Sequence, residues 1–348
     1  MADVRTEAKW IDSFVEVFRL CGVQPGDACA VLSETQSRPV LVQLSELALA
    51  RLGARWFHIV LPTPRQSAPV PVRSTGASDA IGCLQPVVAA LAGSVLVADC
   101  TVEGLQHAVE LPQILAGGAR VLVVSNEHPE ILERTLPRAQ DEAEVRNAMR
   151  QLKASRVMQV TSRAGSDLTV SLTGARVGGV WGFTTKPGSL SHWPAGLVLA
   201  FPAAGSVNGR LVLAPGDVNL TFKRYLADAV ALTIVDDYVT AIDGHSVDAE
   251  LMRGYFAAWA SQPDDRAAYA VSHLGWGLNR RARWDAMTFY DKADFNGTEL
   301  RAFAGNFLYS TGANEVAGRH TLGHFDLPMR GCTITLDWVA VVQDGVLV

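Results

Sequence analysis

Two short runs constrain this chain most: residues 94–99, SVLVAD, and residues 120–125, RVLVVS. Each is apolar on both faces of a strand. Strands buried on both faces belong to parallel sheets covered by helices. The twenty residues 100–119 between them leave room for one crossover helix, ending near Gly117. Upstream the same rhythm repeats. Residues 10–21 place Ile11, Phe14, Val15 and Phe18 at helical spacing. Residues 28–32 and 56–61 read as strands, residues 40–52 as a helix, and residues 80–92 as a helix despite Pro86. Residues 1–155 are thus predicted to form an α/β domain around a parallel sheet. No GxGxxG follows a strand and no phosphate-binding GxxxxGK[ST] occurs, so a scaffold without a nucleotide is expected.

A charged helix over residues 141–155 leads into a different style. From residue 156, β-branched runs such as VMQVTS, LTVSLTG and DAVALTIVDDYVTAIDG alternate with Gly, Pro and Asp. Residues 156–348 are predicted as a mostly antiparallel β-rich domain, with helices near 248–260 and 298–307. The end, TITLDWVAVVQDGVLV, reads as strand, turn, strand, with Asp344-Gly345 as the turn. The fold class is α/β plus α+β.

Composition removes several functions. With 30 basic and 35 acidic residues the net charge is −5, and no basic block is present. Nucleic-acid binding needs a dense basic footprint, so none is expected. The longest uncharged stretch, residues 187–209, carries Pro187, Pro194 and Pro202 and cannot be one membrane-spanning helix. The first residues, MADVRTEAKW, lack the apolar core of a signal peptide. Five scattered cysteines without a CxxC read as reduced thiols, and a cytoplasmic location is expected.

Of eight histidines, five lie beyond residue 155. The densest constellation is RHTLGHFDLP, residues 319–328. On a strand, His324 and Asp326 project to one face and can reach one ion. A distant histidine would complete a two-His, one-carboxylate set, which leaves coordination positions open for O2 and a substrate. His273, in SHLGWG, is the best third ligand, and its glycines permit close approach. His320 and His324 also stand four apart, but Gly323 and Pro328 argue against a zincin-like helix, and His320 reads as a loop residue. GxSxG is absent; GHSVD at 244–248 is the nearest approach. Asp236-Asp237 and Asp264-Asp265 read as turns or solvated ends. Trp276, Trp193 and Phe325 are candidates to wall a flat substrate ring.

Five motifs in order, AGSD (164–167), SHWPAG (191–196), SHLGWGLN (272–279), GNFLYSTG (305–312) and HFDLP (324–328), resemble the 2,5-dihydroxypyridine 5,6-dioxygenases of bacterial nicotinate degradation. The likeness runs from about Phe14 to the last strand. That family's fold is in turn similar to the thermophilic-type metallo-aminopeptidases. The resemblance implies one Fe(II) per subunit, opening of a hydroxylated pyridine ring with O2, N-formylmaleamate as product, and a homo-oligomer. It implies His273, His324 and Asp326 as iron ligands, His107 as a proton-moving histidine, Ser310 and Leu105 as substrate contacts, and His192 as a further pocket histidine. Val180 stands where an acid is expected, which leaves open a different N-heterocycle as substrate. A metallo-aminopeptidase-like hydrolase and a non-catalytic binding protein are the remaining alternatives.

Overall fold

The computed structural model describes residues 5–65, 76–260 and 266–348. Its first sheet has five strands in the order Arg55–Leu61, Ala28–Glu34, Leu96–Asp99, Arg120–Val124 and Leu190–Trp193, all parallel. The apolar runs predicted as buried strands occupy its centre, where Leu96, Val97, Ala98, Val121 and Leu122 expose nothing. Helix Ala8–Leu20 covers one face with Trp10, Phe14, Val17 and Phe18. Helices Gln85–Ala92 and Leu111–Ala116 cover the other. The first of these is shorter than expected. Pro86 sits in its opening turn, where the missing N–H has no intrahelical partner to lose. The fifth strand of this sheet, Leu190–Trp193, comes from beyond residue 155, so the two halves interlock rather than follow one another strictly.

Besides a two-stranded pair, Val218–Asn219 with Arg224–Tyr225, the described part of the second half holds two larger antiparallel sheets. One has eight strands, the other five in the order Phe325–Met329, Phe307–Thr311, Val271–Gly277, Leu197–Phe201 and Arg176–Val180. A single apolar core lies between them. It joins Met158, Val160, Leu168 and Ile334 of the larger sheet to Leu274, Trp276, Tyr309, Phe325 and Leu327 of the smaller. The smaller sheet therefore turns one face to this core and the other away from it.

Three local expectations change. The helix expected near 298–307 is only Thr298–Ala302, and strand Phe307–Thr311 follows. The C-terminus is three strands, because Asp337 and Trp338 take φ of 46° and 74° and form an extra turn. The Asp337 carboxylate holds that turn by accepting from the Arg156 and Val157 N–H groups. Asp237 is a turn residue but not a solvated one: it is fully buried and paired with Arg319. Asp264-Asp265 lies outside the described residues. Among the described residues no helix is long and apolar enough to cross a membrane.

Candidate metal centre

The smaller sheet places three side chains in one row. His273 is the register partner of Ser310, and Ser310 is the register partner of Asp326. Directly opposed residues on adjacent strands share a face, so the row His273–Ser310–Asp326 projects away from the apolar core. His324 precedes strand Phe325–Met329 and lies against Gly312, where a Cβ would stand 3.3 Å from the His324 Nδ1. Gly312 has φ of 128°, which a side chain would also oppose. The donor atoms of His273, His324 and Asp326 all lie within 4.8 Å of one another. The two imidazoles stack with centroids 5.3 Å apart, and His324 Nε2 is 3.2 Å from Asp326 Oδ1.

Each member is held by a second group. Arg301 Nε donates to Asp326 Oδ2 at 2.6 Å, and the Ser310 hydroxyl donates to Oδ1. Burial opposes ionisation of Asp326, but His324 and Arg301 outweigh it and hold the carboxyl well below its usual range. The Tyr255 hydroxyl donates to the His324 carbonyl and accepts from the His324 N–H, both at 2.7 Å. Burial first, then the neighbouring His324, pushes the His273 imidazole down to about 3. Two imidazoles and one carboxylate within reach of a common point fit a single divalent first-row metal with open positions.

His107 enters from the first half. It lies beyond the carboxyl end of strand Leu96–Asp99, and its ring centroid is 6.3 Å from that of His324. Carboxyl ends of parallel strands are where open α/β sheets present ligand-binding groups. Asp99 shapes this loop by accepting from the Thr101 and Leu105 N–H groups at 2.9 and 2.8 Å. Burial of the ring first, and then His324, push the His107 pKa down to about 4, a fall that solvent tempers because the residue as a whole is exposed. His192 donates from Nδ1 to the Pro194 carbonyl at 2.6 Å, which leaves Nε2 free, and burial lowers its pKa to about 4. The Arg301 charge adds to the lowering of the His192, His273 and Asp326 pKa values.

Several expected substrate contacts are corrected. Trp276 alternates with His273, and Phe325 with Asp326, so both point to the opposite face and lie buried in the core between the sheets. Trp193 likewise opposes His192, packs edge-on against Phe14 at 5.0 Å and donates to the Thr135 carbonyl. Leu105 is buried against the first sheet, with its N–H donating to Asp99 and its carbonyl accepting from the Ala108 N–H. Ser310 spends its proton on Asp326. His320 is exposed, as a loop residue should be. Arg301, Tyr255 and Ser272 escaped the sequence reading, since nothing in their spacing marks them as neighbours of the triad.

The family model described as 2,5-dihydroxypyridine 5,6-dioxygenase matches residues 9–348. A curated 2,5-dihydroxypyridine 5,6-dioxygenase of Pseudomonas putida is 36% identical over 344 residues, which is 98% of this chain and 96% of that protein. The solved structure of 2,5-dihydroxypyridine dioxygenase from P. putida KT2440 superposes with a TM-score of 0.92 at 35% identity, covering 99% of this chain and 98% of the other. Wild-type AmpT from Thermus thermophilus shares the fold, with a TM-score of 0.66 at 13% identity over 98% and 99% of the two chains. The chain belongs to the 2,5-dihydroxypyridine 5,6-dioxygenase family.

Proposed function

We propose that this chain is a mononuclear ferrous dioxygenase that opens 2,5-dihydroxypyridine between C5 and C6 and yields N-formylmaleamate. The observation that carries the reading is the row His273–Ser310–Asp326, completed by His324, in a chain that matches the family model from residue 9 to 348. His273, His324 and Asp326 would hold the ion. A ferrous ion there supplies what side chains lack, a redox centre able to engage both O2 and an electron-rich hydroxylated ring. The rest is the work of the chain. Arg301 and Ser310 keep Asp326 ionised and oriented. His107, neutral at pH 7, takes the proton of a substrate hydroxyl and returns it when the ring opens. His192, with Nδ1 committed to the Pro194 carbonyl, keeps Nε2 available for a polar contact. The reaction balances without another reductant, because both atoms of O2 remain in the product.

The hydrolase alternative is less well supported. Two-metal hydrolysis draws on several carboxylates, whereas among the described residues the donor group contains one. The test is anaerobic loading with Fe(II), followed by O2 uptake with 2,5-dihydroxypyridine and with other dihydroxypyridines and catechols. The expected result is one O2 consumed per 2,5-dihydroxypyridine and both 18O atoms from 18O2 in one product. Uptake with none of the panel, alongside zinc-dependent peptide hydrolysis, would overturn the reading. Faster turnover of another N-heterocycle would reassign the substrate and direct attention to Val180.

A further inference from the structure

The strand that carries His273 contains a β-bulge. Val271 pairs with Thr311 and His273 with Ser310, so the ladder advances two residues on one strand against one on the other, and Ser272 is the extra residue. In a regular strand adjacent side chains point to opposite faces and cannot touch. A bulge re-aims one of them. Here it brings the Ser272 hydroxyl to 3.1 Å from Nδ1 of its own neighbour, His273. The same oxygen lies 2.5 Å from the Ala313 carbonyl, and the residue is 4% exposed.

Proton counting then leaves one arrangement. A serine hydroxyl has one proton, and a carbonyl oxygen can only accept. That proton goes to Ala313. The contact with His273 must therefore run the other way, with Nδ1–H donating to the serine oxygen. The nitrogen left with a free lone pair is Nε2. An unconstrained neutral imidazole prefers to carry its proton on Nε2, the atom a metal needs bare.

We propose that Ser272 is a positioning residue that fixes His273 as its Nδ1-protonated tautomer and so presents Nε2 to the metal. The bulge is the device that makes this possible, and Ala313 is the anchor that gives it a direction. The proposal rests on His273 being a ligand, as argued above. Outer hydrogen bonds of this kind set ligand tautomer and orientation, and their loss commonly costs 10–100-fold in metal affinity.

The experiment reads the tautomer without metal, so it is separable from the identity of the ion. The full-length chain is labelled with 15N-histidine and stripped with chelator, and two-bond 1H–15N spectra are recorded at pH 7.5. His273 is identified by its loss in His273→Asn. In wild type its Nδ1 should resonate as a protonated, pyrrole-type nitrogen and its Nε2 as a pyridine-type one. In Ser272→Ala the two should move toward a mixture or reverse, and Co(II) affinity measured by chelator competition should fall about 10–100-fold. Ser272→Thr, which keeps a hydroxyl, should recover both. A wild-type His273 protonated on Nε2 overturns the proposal even where the alanine variant fails to fold. So does a Ser272→Ala protein with unchanged tautomer and affinity. Undiminished Co(II) binding by His273→Asn would instead overturn the ligand assignment itself.

Discussion

At the scale of single residues, the site separates groups that hold an ion from groups that move a proton. Asp326 supplies the only negative charge of the donor set and is 2% exposed. Asp326→Asn keeps the volume and one acceptor for the Arg301 guanidinium but removes the charge. Metal analysis should find that this variant no longer retains stoichiometric metal, while its circular dichroism matches wild type; full retention would count against the assignment. His107 belongs to the other class. It approaches His324 from a different half of the molecule but is absent from the group of donor atoms. His107→Ala should keep full metal occupancy and lower kcat by roughly 10²–10⁴, the usual scale for one positioned proton carrier. Steady-state O2 consumption within about threefold of wild type would end that role. Loss of metal from the same variant would end it too. His320→Ala, at an exposed position, should match wild type in both measurements.

At the scale of elements, helix Val247–Trp259 does more than cover the sheet. It delivers Tyr255, whose hydroxyl bridges both backbone polar groups of His324 at a point where that residue has not yet joined its strand. The ring itself is packed by Phe256 and Phe325. Tyr255→Phe keeps that packing and deletes both hydrogen bonds. It should fold, and should weaken metal binding about 10-fold or more by chelator competition, the usual cost of losing an outer hydrogen bond. Unaltered affinity would show that the strand alone positions His324. The same helix shows how far the sequence could be read. Its existence, the parallel strands, and the triad His273, His324 and Asp326 followed from periodicity, from spacing of two, and from motif order. The row through Ser310 did not follow, because register is a property of two strands at once. Nor did the burial of Trp276, Phe325 and Trp193. Alternation puts each on the face opposite its functional neighbour, yet which face meets the core depends on the eight-stranded sheet packed behind. Arg301 and Tyr255 are close to the triad only in space.

At the scale of the molecule, the two halves are joined by buried carboxylates. Glu127 follows the fourth strand of the parallel sheet and exposes nothing. Its oxygens accept from the Asn296 and Thr298 N–H groups, at 2.9 and 2.8 Å, on the loop that leads to Arg301. Glu299 lies close by and forms an ion pair with Arg134 of the first half at 2.8 Å. Burial first, and then the charge of Glu299, raise the Glu127 pKa from 4.5 to about 7. In the unfolded chain the group returns to its ordinary value. Between about pH 4.5 and 7 the folded protein therefore holds this proton more tightly than the unfolded one, and folding stability contributed by the group falls as pH rises through that window. Glu127→Gln cannot titrate. The unfolding free energy of wild type minus that of Glu127→Gln, from urea denaturation of chelator-stripped protein, should decline as pH is raised from 4.5 to 7.5. One pKa unit corresponds to about 1.4 kcal/mol, so the decline should be up to about 3 kcal/mol. A difference that stays flat across the window would mean that Glu127 is charged in the folded protein throughout. The junction would then carry two ionised carboxylates, Glu127 on its two N–H donors and Glu299 on Arg134.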